Sequence, residues 1–167
     1  MIGSIFPLRE SELFNTLSFE ELGRVALICS ESSVSEGTLL FTQGSDANKL
    51  YIVTQGLVAL QMATRVPHAT QSRRSTAAIC GRGELVGWSS MVEPFQYTLT
   101  AMAWESCRLI SIDAELLGNL VRADTATGFQ VMQSLSTIMS RRIRQITVAL
   151  VAERETMAAR YNSINDN

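Results

Sequence analysis

Residues able to do chemistry are sparse in this chain, and their spacing excludes more reactions than it allows. His68 is the single histidine, so a nucleophile–histidine–carboxylate triad and a histidine-rich metal site both lack parts. Set in a polar loop far from any cysteine, it reads as a surface residue and not as a haem ligand. Cys29, Cys80 and Cys107 are odd in number, widely spaced and flanked by apolar residues. That pattern predicts reduced, buried thiols of a cytoplasmic protein, not a disulfide framework, and it is too scattered for an iron–sulfur cluster. The run Gly81-Arg-Gly-Glu-Leu-Val-Gly87 has the glycine density of a dinucleotide loop, but Val86 stands where the third glycine is needed and no βαβ unit surrounds it. A phosphate-cradling loop ending in Gly-Lys-Ser/Thr is absent, and no base with an orienting partner is visible. These residues describe a binding or regulatory module and no enzyme.

Arginines supply the available positive charge. Arg65, Arg73, Arg74 and Arg82 lie in or near loops, as solvated charges or as counter-charges folded over a pocket mouth. Arg141-Arg142-Ile-Arg144 sits midway along a helical stretch, where it reads as a solvated flank or as cross-dimer partners of Glu153 and Glu155.

The elements that must position these residues follow from pattern. The chain has 167 residues, 46% hydrophobic and 18% charged, enough to bury one core. Its net charge of −2 gives no global attraction to a phosphate backbone. The N-terminal MIGSIFPLRESELF lacks the basic-then-apolar pattern of a secretory signal, and no apolar run is long enough to span a membrane. Ser18 can cap a helix running to Ile28, with Glu21 completing a capping box and Leu17 stapled to Leu22. From Ser32 to Asp113, glycines punctuate short β-rich runs: Lys49 to Val53, Leu57 to Ala63, Thr76 to Cys80, Thr98 to Ala103 and Cys107 to Ile112. Residues 66–74, proline-containing and polar, read as an exposed hairpin loop.

After Ile112 the period becomes helical. Asp113 is the expected cap of a short helix carrying Leu116, Leu117, Leu120 and Val121 on one side. A proline-free helix from Asp124 to Tyr161 then carries Phe129, Met132, Met139, Ile143, Ile146, Leu150 and Met157 at alternating spacings of three and four, interrupted where Ser136 and Glu153 fall on the same seam, a stripe suited to a two-helix seam. Val131, Leu135 and Ile138 form a second set on an adjacent flank, placed to pack on the β-stretch. An isolated helix of this length would leave the seam in water, so a second copy of the chain is the expected partner, the alternative being a helix lying along its own domain. The expected organisation is a sensor domain over residues 1–123, a dimerisation helix over 124–161 and a tail over 162–167.

A capped helix, a glycine-punctuated β-roll, a short helix and a long seam helix, in that order, resemble the effector domain of the Crp/Fnr-type bacterial regulators. The specific residues are Glu36-Gly-Thr-Leu-Leu-Phe-Thr-Gln-Gly44, Leu50-Tyr-Ile-Val-Thr-Gln-Gly-Leu-Val58 and Gly83-Glu-Leu-Val-Gly-Trp88. The resemblance implies a mainly β double-stranded β-helix, the jelly roll of cyclic-nucleotide-binding domains, followed by a long C-terminal dimerisation helix. It implies a phosphate-binding cassette opened by Gly83, Glu84 and Leu85, with Glu84 accepting from a ribose hydroxyl and Trp88 to Met91 as the cassette helix. In the family an Arg followed by Ser or Thr closes the cassette; here Thr98 keeps the hydroxyl but Tyr97 replaces the Arg, so the phosphate loses its charge-assisted partner. A cyclic nucleotide, cAMP or cGMP, should then bind weakly or differently, or another small anionic ligand should take its place. Thr147 falls near the position from which the family's long helix touches the base. Since the chain ends at Asn167, it has no room for the helix-turn-helix with which such regulators read DNA. The implied function is ligand sensing by a homodimer; a dimerisation scaffold that has lost its ligand, and the effector fragment of a longer DNA-binding regulator, are the alternatives.

Overall fold

The computed structural model describes residues 5–64 and 73–165. Two four-stranded antiparallel sheets lie face to face, and a layer of helices covers the outer face of one of them. The chain enters through α1 (Ile5–Glu10) and α2 (Phe19–Ala26) and then builds β1 (Cys29–Val34), β2 (Leu39–Phe41), β3 (Lys49–Gln55), β4 (Val58–Thr64), β5 (Arg73–Cys80) and β6 (Leu85–Val86). A short 3-10 helix (Trp88–Met91) precedes β7 (Thr100–Ala103) and β8 (Cys107–Asp113), and α3 (Ala114–Ala123) leads into α4 (Thr125–Asn165). The first sheet has the order β1-β8-β3-β6 and the second β2-β7-β4-β5.

Alternation along the strands of the first sheet explains the layering. On β3 and β8, Val53, Cys107 and Leu109 face the second sheet and pack with Val58, Leu60, Val86, Ala101 and Ala103. Leu50, Ile52, Ile110 and Ile112 face the other way, toward Leu8, Phe14, Leu22, Val25 and Leu117 of the helical layer. Leu50 pairs with Ile112 and Ile52 with Ile110 across the ladder. Both faces of these strands are therefore buried, and this is why Leu109-Ile110 and Ile52-Val53 read as continuous apolar pairs.

Both expected caps form. Ser18 accepts from the Glu21 N–H and Glu21 accepts from the Ser18 N–H, while Asp113 accepts from the Leu116 N–H. Leu116 itself is exposed, so α3 buries Ala114 and Leu117 and not the whole expected stripe. α1, β1, β2 and β6 are short or polar elements that the pattern did not resolve.

The start of α4 is fastened to α2. The buried Thr127 hydroxyl lies 2.8 Å from Glu21 Oε1 and 2.9 Å from Asp124 Oδ2, and Arg24 pairs with Asp124 at 2.8 Å. Gly128 sits at the α3–α4 corner, where a Cβ would come within 2.3 Å of the Val121 carbonyl oxygen. From this corner α4 lays Val131, Leu135 and Ile138 onto the helical layer, all buried. Its helical backbone continues to Asn165, beyond the expected end at Tyr161.

Candidate functional site

The cassette begins where β6 ends. Gly87 takes φ +84°, and a Cβ there would meet the Lys49 carbonyl oxygen at 3.1 Å and the rings of Phe41 and Tyr97 at 3.2 Å. A glycine is therefore required both for the turn and for the close approach. The 3-10 helix Trp88–Met91 follows, as expected, with Ser89 and Ser90 buried. Ser90 Oγ donates to the Gly87 carbonyl at 2.9 Å, and Ser89 Oγ lies 3.5 Å from Thr98 Oγ1.

The space these elements leave between them is small. Its cavity, lined by Phe41, Leu60, Gly87, Trp88, Ser89, Thr98 and Leu99, measures about 20 Å³, room for about one water molecule. Aromatic stacking accounts for this. The Tyr97 ring stacks on Phe41 at a centroid distance of 3.7 Å and an interplanar angle of 6°. The Tyr97 hydroxyl donates to the Lys49 carbonyl at 2.7 Å and accepts from the Lys49 N–H at 3.2 Å. Burial pushes the phenol up from its ordinary pKa, so it stays protonated. With both hydrogen-bonding roles taken by the backbone, Tyr97 presents no hydroxyl to a phosphate.

Of the residues the sequence singled out, Thr98 reaches the cavity wall and Tyr97 packs behind it. Gly83, Glu84 and Leu85 do not line it. Gly83, at φ +82°, turns the chain against the N-terminal segment, where a Cβ would sit 3.0 Å from the Glu10 carbonyl oxygen. Glu84 accepts from the Gly81 N–H at 2.7 Å and faces α4, and Leu85 is buried in the helical layer. No carboxylate or guanidinium lines the cavity among the described residues. The other cavity residues, Phe41, Leu60, Gly87, Trp88, Ser89 and Leu99, carry no charge and were not singled out as ligand contacts, although Phe41, Gly87 and Trp88 fall in the quoted motifs and Trp88 and Ser89 in the expected cassette helix.

A family model for the cyclic nucleotide-binding domain matches residues 31–124, more than half of the chain. The chain belongs to the cyclic nucleotide-binding domain family. It is 28% identical over 143 residues to the cyclic AMP receptor protein of Thermus thermophilus, covering 86% of this chain and 62% of that protein. Against the anaerobic regulatory protein of Bacillus subtilis it is 25% identical, covering 77% of this chain and 51% of that one. The chain thus spans between half and two thirds of the length of these relatives. Among solved structures, a putative cyclic nucleotide-binding protein from Geobacter metallireducens superposes with a TM-score of 0.72 at 27% identity, covering 84% of this chain and 98% of that one. The catabolite activator protein of Thermus thermophilus gives 0.68 at 26% identity, covering 86% and 63%. The jelly roll with its long C-terminal helix is the fold these relatives share.

Within this cyclic nucleotide-binding domain, the basic cluster of α4 departs from the solvated flank expected of it. Arg142 is only 6% exposed. Its Nη2 donates to Cys80 Sγ at 3.0 Å and to Glu84 Oε1 at 3.4 Å, and its Nε has no partner. Arg141 pairs with Glu12 and approaches Glu84 at 3.6 Å, and hydrogen bonding to Glu12 holds its guanidinium above the ordinary arginine pKa. Arg144 alone stays outside, donating to Ser140. Burial pushes the Cys80 thiol up to about 11 against the opposing effect of Arg142. The expected partners Glu153 and Glu155 have side chains outside the described residues. The reason for the correction is tertiary: β5, β6 and the N-terminal segment converge on this turn of α4 from positions far away in sequence.

Neither of the loop arginines whose side chains are described, Arg74 and Arg82, lines the cavity. Arg82 pairs with Glu10 at 2.7 Å on the surface, and Arg74 is exposed. Arg65 and His68, and the side chain of Arg73, lie outside the described residues. Thr147 is exposed and its hydroxyl donates to the Ile143 carbonyl at 2.9 Å. On the seam, Phe129, Met132, Ile143 and Ile146 are exposed and Met139 is half-buried; the Leu150 side chain is outside the described residues. A groove of about 510 Å³ runs from Ser90, Met91 and Phe95 past α3 to Met132, touching both the cassette loop and α4. No described helix is long and apolar enough to cross a membrane.

Proposed function

We propose that this chain is a homodimeric, non-catalytic sensing domain of the cyclic-nucleotide-binding type. Its input is a small anionic ligand, cAMP or cGMP among the candidates, and its output is the geometry of a pair of α4 helices. The observation that carries the reading is the state of α4: the helix is seated through Val131, Leu135 and Ile138, while Phe129 and Ile143 of the seam stay 68% and 63% exposed. Apolar residues repeated at helical spacing and left in water imply a partner surface of the same kind. The groove between the cassette loop and α4 gives a ligand a way to bias the helix, and such a bias acts as a population shift.

Sedimentation velocity tests the dimer: the chain should sediment as a dimer at tens of micromolar, and Ile143→Asp should render it monomeric. A monomeric parent chain removes the reading. For the input, thermal melting with cAMP, cGMP and other small anions should show a rise in Tm with one of them. The small volume of the cassette cavity favours a second reading, a scaffold that dimerises without a ligand, under which no anion shifts the melt.

A further inference from the structure

We infer that the outer face of the second sheet is a contact surface for a second copy of this chain, separate from the α4 seam and weaker than it. This goes beyond the reading of α4 and does not depend on it.

The residues on that face break the pattern of a half-solvated sheet. An antiparallel sheet with water on one side alternates apolar inward and polar outward. Here Leu39 pairs with Met102, Met102 with Ala59 and Ala59 with Ile79, so one apolar row crosses all four strands of the sheet. The neighbouring row, with Ala101, Leu60 and Ala78, faces the first sheet. Alternation therefore puts the row from Leu39 to Ile79 on the outside. Leu57 and Trp104 form the next outward rung, where the Trp104 N–H donates to the Leu57 carbonyl at 2.8 Å. Leu39, Ile79 and Trp104 are exposed, and neither hydrophobic cluster takes them in. The first sheet carries a comparable outer row and buries it under α1, α2 and α3, whereas no described helix does this for the second. A contiguous apolar surface of this kind marks an interaction site.

Charge selects a second copy as the occupant. Arg74 lies directly across from Ala63, on the outward side, near one end of β4. Glu105 follows Trp104 near the other end. Both are exposed, and neither forms an ion pair with a described residue. A two-fold axis lying in the face and crossing β4 near Ala59, at right angles to the diagonal from Glu105 to Arg74, brings each Glu105 over Arg74 of the partner subunit. Apolar row then meets apolar row, and the same ion pair forms twice, as an isologous contact requires.

Shape and area set the strength. Sheets stack face to face, so a second such sheet matches this one. The face is four strands wide, about 19 Å, and the seven-residue β4 is about 24 Å long, which gives about 450 Å² in plan. That falls below the roughly 800 Å² per partner of a standard interface and in the range of weak, reversible association.

The test is sedimentation equilibrium of the full chain carrying Ile143→Asp, which removes the α4 seam and leaves the sheet face intact. Expected are monomers at tens of micromolar and dimers at several hundred micromolar. Ile79→Lys abolishes these dimers; should that variant lose its fold, Leu39→Glu on the opposite edge strand takes its place. Arg74→Glu weakens them about tenfold, because the axis uses the ion pair twice, and adding Glu105→Arg restores the constant to within about threefold. Monomers at every concentration, dimers indifferent to the apolar substitution, or no rescue by the second charge reversal overturn the proposal. Flotation with phosphatidylcholine–phosphatidylglycerol vesicles, lost on Ile79→Lys in a chain that stays monomeric, assigns the face to a lipid surface and overturns it too. A parent chain that is monomeric at tens of micromolar and pairs only at several hundred removes the α4 reading alone.

Discussion

Helix α4 carries two apolar sets of similar composition that meet opposite fates. Val131, Leu135 and Ile138 are buried against the helical layer, whereas Phe129, Met132, Ile143 and Ile146 are exposed. Residue type does not separate them, since an isoleucine belongs to each. What separates them is whether the chain folds something over that side of the helix: α1, α2 and α3 cover the outer face of the first sheet and bury the first set, whereas no described element covers the second, of which Met132 only edges the groove beside α3. A hydrophobic stripe thus states that a surface must be covered without stating by whom.

The strongest way to break this comparison is to truncate one member of each set. Leu135→Ala should cost about 3 kcal/mol by losing buried methyl groups and leaving a cavity. Ile143→Ala should change the stability of the monomer by less than about 0.5 kcal/mol. Urea titration of both in a monomeric background measures this, and similar losses would mean that the exposed set is covered within the chain. Thr127→Val addresses the hydroxyl that fastens the seated half to α2. It should cost about 1–2 kcal/mol, because Glu21 and Asp124 lose a buried donor. Next comes Tyr97→Phe, expected to cost about 1 kcal/mol as the Lys49 N–H and carbonyl lose their side-chain partner. A variant that instead melts higher and binds cAMP would show the stack to be a barrier and not a support.

The smallest effect concerns acid. Hydrogen bonds from Ser18 hold the Glu21 carboxyl below its ordinary value of 4.5, and those from Thr127 hold the Asp124 carboxyl below 3.8. A carboxyl depressed on folding adds stability that is complete above its unfolded pKa and is lost as pH falls through the folded one. Wild type should therefore lose stability as pH drops below about 4.5, and Thr127→Val should lose less over the same window. Parallel curves for the two proteins would show that Thr127 does not contribute to either depression.

Local signals carried much of the fold. The Ser18–Glu21 box and the Asp113 cap are contacts over three residues, so the sequence displays both partners at once. β3, β4, β5 and β8 announce themselves by length and β-rich composition, and α4 by period. The cassette was less legible. Its short helix formed as expected and Thr98 lies at the wall of the small cavity, whereas Gly83 and Glu84, read as opening the cassette, turn toward Glu10 and α4. The pocket is filled by Phe41, which comes from β2 and stacks on a ring 56 positions later in the chain, and no local pattern records such a pairing. Arg142 gave the same difficulty: three arginines on a helix look like a solvated flank until β5 and the residue before β6 arrive from 62 and 58 residues away.

By itself the sequence determined the element types, the caps and the two apolar sets of α4, because each of these is a property of residues close together in the chain. The tertiary structure decided that Tyr97 stacks on Phe41 behind the cavity wall, that Glu84 meets Arg142 of α4 and that Arg142 is buried. Those outcomes depend on which strands and helices converge at a point, and burial, pairing and exposure are properties of that convergence rather than of any residue alone.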